Sequence, residues 1–97
     1  MEYIVKNEAL TFLSKGQINS SNAEELEKEI DAIIEKESFK SIVFDMGGLD
    51  YISSAGLRII LKIKKEYDAT SLIEVPSNIY DILVMVGFTN ILDIKTK

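Results

Sequence analysis

The segment Phe44-Asp-Met-Gly-Gly-Leu-Asp-Tyr-Ile-Ser-Ser-Ala-Gly-Leu-Arg-Ile-Ile-Leu61 predicts a buried strand, a glycine-containing loop and a helix in succession. Ser53 and Ser54 lie side by side where this helix should begin. The first backbone N–H groups of a helix lack partners within it, and a serine oxygen is a preferred acceptor for one of them. The helix dipole also favours negative charge at this end. Two roles are therefore open for the pair: capping the helix, and carrying a phosphate that a partner detects.

Gly56 lies inside the first predicted turn of the same helix, where glycine is about 1 kcal/mol less favourable than alanine. We interpret it as a position that another backbone or a partner surface approaches closely. Serines at a helix start are most often caps and nothing more, and this interpretation stays open. Because the serine is doubled, one residue can cap the helix while the other faces solvent.

Composition restricts the classes of function. With 97 residues, of which 46% are hydrophobic and 28% charged, the chain has the length and composition of one globular domain. No apolar run approaches the roughly 20 residues that span a bilayer, and the N-terminus has neither a basic leader nor an apolar signal core. We therefore expect a cytoplasmic protein that makes no direct contact with a membrane.

The absence of cysteine and histidine argues against disulfides, thiol chemistry and the usual transition-metal sites, so we expect no metal and no cofactor. A serine nucleophile would also lack a histidine base, which argues against an enzyme. The net charge of −5 argues against nucleic acid and favours a partner with a basic surface.

Periodicity and turn residues predict the element order β-β-α-β-α-β-α-β, which is a single α/β domain over residues 1–97. We expect a mixed sheet of about four or five strands covered by three or four helices. Strands are predicted at 2–6, 9–15, 41–45, 71–75 and 88–94, with helices at about 21–36, 54–67 and 77–86. The nearly continuous apolar run of the third strand predicts that it is covered on both faces. Asp45 should end this strand, and residues 46–51 should form a loop that delivers the serines.

Five local signals mark the ends of the other elements. Asn7-Glu8 is a plausible hairpin turn, and Gly16 should break the second strand. Ser21 with Glu24 fits a capping box for the first helix. The Pro76-Ser77-Asn78 segment should cap the third helix, which Gly87 should end.

The order and spacing of these motifs resemble the STAS domain, the family of bacterial anti-sigma factor antagonists, over essentially the whole chain. The family signature is a strand ending in Asp, a short loop, and Asp-Ser-Ser/Thr-Gly-Leu at the start of a helix. Phe44-Asp45, Gly47-Gly48 and Ser53-Ser54-Ala55-Gly56-Leu57 stand in these places here. Gly16-Gln-Ile-Asn19 is similar to the family's Gly-x-Leu-Asp turn, and Val86-Gly87-Phe88 is similar to its late glycine motif.

The resemblance implies a regulatory binding protein and not an enzyme. In the family, the serine two residues before the glycine is phosphorylated. The corresponding residue here is Ser54, two residues before Gly56, and Ser53 is a second candidate. The implied partner is an anti-sigma factor with GHKL-type serine kinase activity, which the unmodified form binds, thereby releasing the sigma factor. Phosphorylation would block that binding, and a PP2C-type serine phosphatase would restore it. The predicted partner-binding residues are Asn19, Ser53, Ser54, Ala55, Gly56, Arg58, Ile59 and Lys62.

Two positions depart from the family pattern, and three alternatives stay open. Ser53 and Asn19 stand where the family often has Asp, so negative charge near the acceptor is lost. Other STAS proteins are not phosphorylated and dock in another assembly, such as a lipid-transport ABC system. Ile59 and Ile63 could meet a partner or pack on the sheet. Tyr80 and Val84 form a second apolar strip on the third helix, which leaves a homodimer open.

Overall fold

The predicted element order is confirmed in a computed structural model that describes all residues from 1 to 97. The elements are β1 (Glu2–Lys6), β2 (Ala9–Ile18), α1 (Ala23–Lys36), β3 (Ser41–Ile52), α2 (Ser54–Glu66), β4 (Thr70–Val75), α3 (Ser77–Met85) and β5 (Asp93–Thr96). One turn of 3-10 helix, Phe88–Asn90, lies between α3 and β5.

The strands form one mixed sheet in the order β1-β2-β3-β4-β5. β1 pairs antiparallel with β2 through a tight turn at Asn7 and Glu8, whose φ angles of 52° and 66° are those that a two-residue hairpin turn requires. All later strand pairs are parallel, so the chain must cross back between them, and it does so through α1, α2 and α3. The carboxyl ends of β2, β3 and β4 therefore meet at one edge of the sheet. Ser53 and Ser54 follow β3 at this edge.

One face of the sheet carries the core, and the other is only half-buried. Buried side chains alternate along β2, along β3 up to Met46, and at the start of β4, and they include Leu10, Phe12, Ile42, Phe44, Met46, Thr70 and Leu72. Val43 and Asp45 point to the opposite face and are half-buried. The prediction that β3 is covered on both faces is therefore wrong. The apolar run Ile42-Val43-Phe44 was misleading because Val43 is apolar although it lies on the half-buried face. An apolar residue there hides the alternation of apolar and polar residues that is typical of a strand with one solvated side.

The helices bury their apolar stripes on the core face. The buried residues are Ala23 and Ile30 in α1, Leu57, Ile59, Ile60 and Ile63 in α2, and Ile79 and Leu83 in α3. Ile59 and Ile63 are 6% and 2% exposed, so this pair packs in the core. The alternative in which the pair meets a partner is thereby excluded.

Two strands run further than predicted. Gly16 does not break β2, which continues to Ile18, and its φ of 71° coincides with shifts in the register between β2 and β3. β3 likewise continues past Asp45 to Ile52, so residues 46–51 form a strand and not a loop. The second half of each strand pairs with the other, as Lys15 with Gly48. A β-bulge of this kind accommodates glycines that, from the sequence alone, are typical of a turn.

The start of α1 differs from the predicted capping box. α1 begins at Ala23 after Asn22, and Ser21 does not cap it. Instead, the side-chain oxygen of Asn19 accepts hydrogen bonds from the backbone N–H groups of Ser21 (3.0 Å) and Asn22 (3.2 Å). Asn22 returns the contact, since its Oδ1 accepts from the N–H of Asn19 at 2.9 Å. The polar loop between β2 and α1 is therefore held by two asparagines.

The ends of α3 and β5 also differ from the prediction. No side chain caps α3, and Asn78 instead donates from Nδ2 to the carbonyl oxygen of Asp50 at 3.1 Å. Gly87 follows α3 with a φ of 81°, as a glycine just after a helix should. The chain then forms the 3-10 turn, so β5 is limited to Asp93–Thr96 instead of the predicted 88–94.

Candidate partner-binding site

The two adjacent serines take different roles. Ser53 precedes α2 in extended conformation, and its Oγ accepts a hydrogen bond from the N–H of Gly56 at 3.3 Å. The N–H of Ser53 donates to the carbonyl oxygen of Ile18 at 2.8 Å, which ties the cap to the end of β2. Ser54 is the first residue of α2, its side chain is exposed, and it makes no hydrogen bond within the chain. Ser53 is thus the cap, and the hydroxyl of Ser54 is accessible.

Replacing Ser53 with alanine is expected to lower the free energy of unfolding by about 1 kcal/mol, because the N–H of Gly56 loses its acceptor. Ser54→Ala is the matched control, since it removes a hydroxyl from the next position without removing a hydrogen bond. Urea denaturation of both variants measures the difference. Equal destabilisation by the two substitutions would contradict the assignment of the cap to Ser53.

The start of α2 is electrostatically suited to an anion at Ser54. The first turn of α2 contains no acidic residue, so a phosphate would meet no like charge within it. The helix dipole adds partial positive charge at the same end. These features make the first turn compatible with a phosphoserine.

Gly56 is buried, and its close neighbours belong to the chain itself. A Cβ atom at this position would lie 2.7 Å from Cγ2 of Ile18 and 2.7 Å from Cγ1 of Ile52. Of the two interpretations of Gly56, a close approach by the chain itself is therefore confirmed, through the side chains of Ile18 and Ile52, and the approach of a partner is wrong. The missing side chain of Gly56 allows the start of α2 to pack against the ends of β2 and β3. This packing fixes where Ser54 emerges on the surface.

A groove of about 410 Å³ lies between the first half of α1 and residues 55–62 of α2, next to the serines. Its lining comprises Ser20, Ala23, Glu24, Glu27, Ala55, Arg58, Ile59 and Lys62. The Nζ of Lys62 donates to Oε2 of Glu27 at 2.8 Å and to Oδ2 of Asp31 at 3.4 Å, and these hydrogen bonds raise the pKa of Lys62. Arg58 is exposed and makes no ion pair or hydrogen bond within the chain. The groove therefore contains one engaged and one free cation.

The structure separates the predicted contact residues into two groups. Ser54, Ala55, Arg58 and Lys62 have accessible surface on α2, and the last three line the groove. Gly56 is buried and has no side chain, and Ile59 is only 6% exposed within the lining of the groove. The Oδ1 of Asn19 is already occupied by its own loop. Sequence reasoning missed the contribution of α1, because an acidic helix face gives no sign of which neighbour it will lie against.

The end of α3 carries exposed apolar side chains. Val84, Met85 and Val86 are exposed, Met85 to 85% of its full value, and Tyr80 is half-buried. Because these exposed apolar side chains could pack against a second copy of the chain, the homodimer stays a prediction. None of the helices combines the length and the hydropathy required to cross a membrane.

Known proteins resemble this chain in sequence and in fold. The model of the STAS domain family matches residues 1–97. BtrV of Bordetella bronchiseptica, described as a candidate anti-sigma factor antagonist, is 37% identical over 87 residues, which cover 86% of this chain and 74% of BtrV.

Three solved structures share the fold at low sequence identity. TM1081 of Thermotoga maritima, also described as a candidate anti-sigma factor antagonist, has a TM-score of 0.88 at 18% identity and covers 99% of this chain and 86% of its own. The anti-sigma factor antagonist SpoIIAA of Bacillus, in its unphosphorylated form, has a TM-score of 0.78 at 17% identity, with coverage of 99% and 88%. A sulfate transporter family protein of Wolinella succinogenes has a TM-score of 0.74 at 20% identity, with coverage of 95% and 80%.

The fold is therefore shared by proteins with different tasks, and at these identities the three structures establish the fold alone. The match over the full length and the identity with BtrV establish more: this chain belongs to the STAS domain family.

Proposed function

We propose that this protein is an anti-sigma factor antagonist whose binding is switched off by phosphorylation of Ser54. The observation that carries the proposal is the exposed hydroxyl of Ser54 at the first position of α2, next to a serine that already provides the cap. The relative BtrV, described as a candidate for the same class, supports it. In the bacterial cytoplasm, the unmodified protein binds an anti-sigma factor with GHKL-type serine kinase activity and thereby frees the sigma factor.

The physical basis of the switch is a change of charge on a surface that keeps its shape. A phosphate adds about −1.5 to −2 charge at neutral pH. Ser54 makes no side-chain hydrogen bond in the chain, so its modification breaks no internal contact. An interface that covers Ser54 would instead have to remove water from the phosphate, which is strongly unfavourable without a matching cation. The modification therefore acts on binding and leaves folding nearly unchanged, and a PP2C-type serine phosphatase reverses it.

The contact surface consists of Ser54, Ala55, Arg58 and Lys62, together with the α1 side of the groove. Ser53, which occupies the place of the usual Asp, acts through the cap and holds the turn in position. The protein itself performs no catalysis in this proposal, because the serines have no neighbouring base.

A docking subunit that is not phosphorylated is the second candidate. Two observations favour it: Ser53 and Asn19 replace the acidic residues that often surround the acceptor, and the same fold occurs in a sulfate transporter family protein. In that case the surface around α2 would bind another subunit permanently.

Incubation with the cognate anti-sigma kinase and ATP, followed by intact-mass analysis, separates the two candidates. The proposal expects one added phosphate on the wild-type protein and on Ser53→Ala, and none on Ser54→Ala. The Ser53→Ala protein controls for loss of the cap, because it changes the neighbouring hydroxyl and keeps the acceptor. An unmodified wild-type protein would support the docking subunit, and a phosphorylated Ser54→Ala would place the acceptor elsewhere.

A further inference from the structure

The cations of α2 differ in whether they are already paired. Lys62 is bound to Glu27 and Asp31, and Lys64 donates to the backbone carbonyl and the carboxylate of Asp68. Arg58 and Lys65 make no such contact. Of these two free cations, only Arg58 lies near the serine end of the helix, in the turn after Ser54.

Ser54 and Arg58 are neighbours on the surface of α2. Side chains four residues apart on a helix lie one above the other, with Cβ atoms about 5–6 Å apart. Both side chains are exposed, so neither is held away from the other by packing. The planar guanidinium of arginine presents a fork of N–H donors that matches two phosphate oxygens at once.

No other side chain of the groove is available to balance a phosphate at Ser54. The Nζ of Lys62 is shared between two carboxylates, and the remaining charged groups of the groove, Glu24 and Glu27, are themselves negative. Oε1 of Glu24 lies 3.8 Å from Nζ of Lys28, one turn along the exposed face of α1, and forms no other ion pair. Arg58 is therefore the one unpaired cation in the groove that can bind a phosphate on Ser54.

We propose that Arg58 binds the phosphoryl group of phosphorylated Ser54 across one turn of α2. The inference rests on the proposed function only in taking Ser54 as the modified residue. In the unmodified protein the donors of Arg58 are free to contact an acceptor on the partner. In the phosphorylated protein they are occupied, so the modification adds negative charge to the contact surface and withdraws its free cation.

The second ionisation of phosphoserine, whose ordinary pKa is about 6, reports this pairing directly. Phosphoserine can be incorporated at position 54 during translation, and its pKa can be measured by a 31P NMR titration of the isolated protein. A nearby cation favours the dianion, so we expect the pKa to be a few tenths of a unit lower with Arg58 than in Arg58→Ala. Arg58→Lys should give an intermediate value, because lysine keeps the charge and loses the fork.

Lys65→Ala is the matched control, because it removes an equally exposed, unpaired cation from the same helix, far from Ser54. Its phosphoserine should titrate as in the parent protein. Should Arg58→Ala itself not fold, Arg58→Gln provides the same neutralisation with a longer side chain. A pKa that is unchanged by loss of Arg58, or shifted equally by loss of Lys65, would overturn the proposal.

The outcome of this titration does not depend on the proposed function, because the phosphoserine is incorporated without any kinase. If the titration shows pairing but the phosphorylated protein still binds the anti-sigma factor, the proposed function is wrong and the role of Arg58 stands. If phosphorylation abolishes binding but the Arg58 variants titrate alike, only the role of Arg58 is wrong.

Discussion

Replacing Gly56 with valine is expected to lower the free energy of unfolding by about 2–3 kcal/mol, the upper part of the range for overpacking a core. For a domain of this size the corresponding decrease in Tm is roughly 8–24 °C. The reason is steric: even a Cβ atom at this position would lie 2.7 Å from both Ile18 and Ile52. Both contacted atoms are γ carbons of isoleucine, which lie close to the backbone and cannot move far by side-chain rotation alone. The two strand ends would therefore have to move away from α2.

Ala32→Val is the matched control for this experiment. Ala32 is exposed in the middle of α1, so the same β-branched side chain there changes helix propensity and meets no neighbour. We expect a loss of a few tenths of a kcal/mol, since valine is only moderately less favourable than alanine in a helix. Thermal unfolding followed by circular dichroism measures both variants. Similar midpoints for Gly56→Val and Ala32→Val would mean that α2 does not pack closely on the strand ends.

The element order was predictable because it is encoded locally. Apolar residues at helical spacing in the second half of each β-α unit, and β-branched runs before them, identify strands and helices without knowledge of their partners. The place of the serine pair at the start of α2 followed from the same local pattern. The strand extensions were not predictable, because Gly47 and Gly48 favour a turn on their own. Only their pairing with β2, across a bulge, makes them part of a strand.

The division of roles within the site depends on contacts between distant parts of the chain. Either serine could have been the cap, and the choice is made by the hydrogen bond from Ser53 to Ile18, which lies on another strand. Gly56 has a buried neighbour, Ile18, that sequence spacing does not reveal. A glycine inside a helix, where it lowers stability relative to alanine, correctly indicated that other atoms lie close to this position. The local sequence contains nothing that shows whether those atoms belong to a partner or to the chain's own core.

The free state of Arg58 was equally hidden. From the sequence, Arg58, Lys62 and Lys65 form one basic stripe. Their difference arises because Glu27 and Asp31 of α1 form ion pairs with Lys62, whereas Arg58 forms no ion pair. Which cation remains available to a phosphate or a partner is therefore a property of helix packing.

Ser54→Asp is expected to weaken binding to the anti-sigma factor by at least about 30-fold, since an unpaired charge in an interface costs about 2–5 kcal/mol. Its stability should match that of wild type, because the carboxylate lies in the first turn of a helix, where negative charge is favourable. Ser77→Asp is the matched control. Ser77 is likewise an exposed serine at the first position of a helix, α3, and lies outside the proposed contact surface.

The most direct measurement is an isothermal calorimetric titration of the anti-sigma factor with four proteins: wild type, Ser54→Asp, Ser77→Asp, and wild type phosphorylated at Ser54. Circular dichroism of each protein first establishes that all four are folded. We expect tight binding by the wild type and by Ser77→Asp, and binding at least about 30-fold weaker by the two proteins that carry negative charge at position 54. Equal affinity of the phosphorylated and unmodified proteins would contradict the account, because the hydroxyl at the start of α2 would then lie outside the interface.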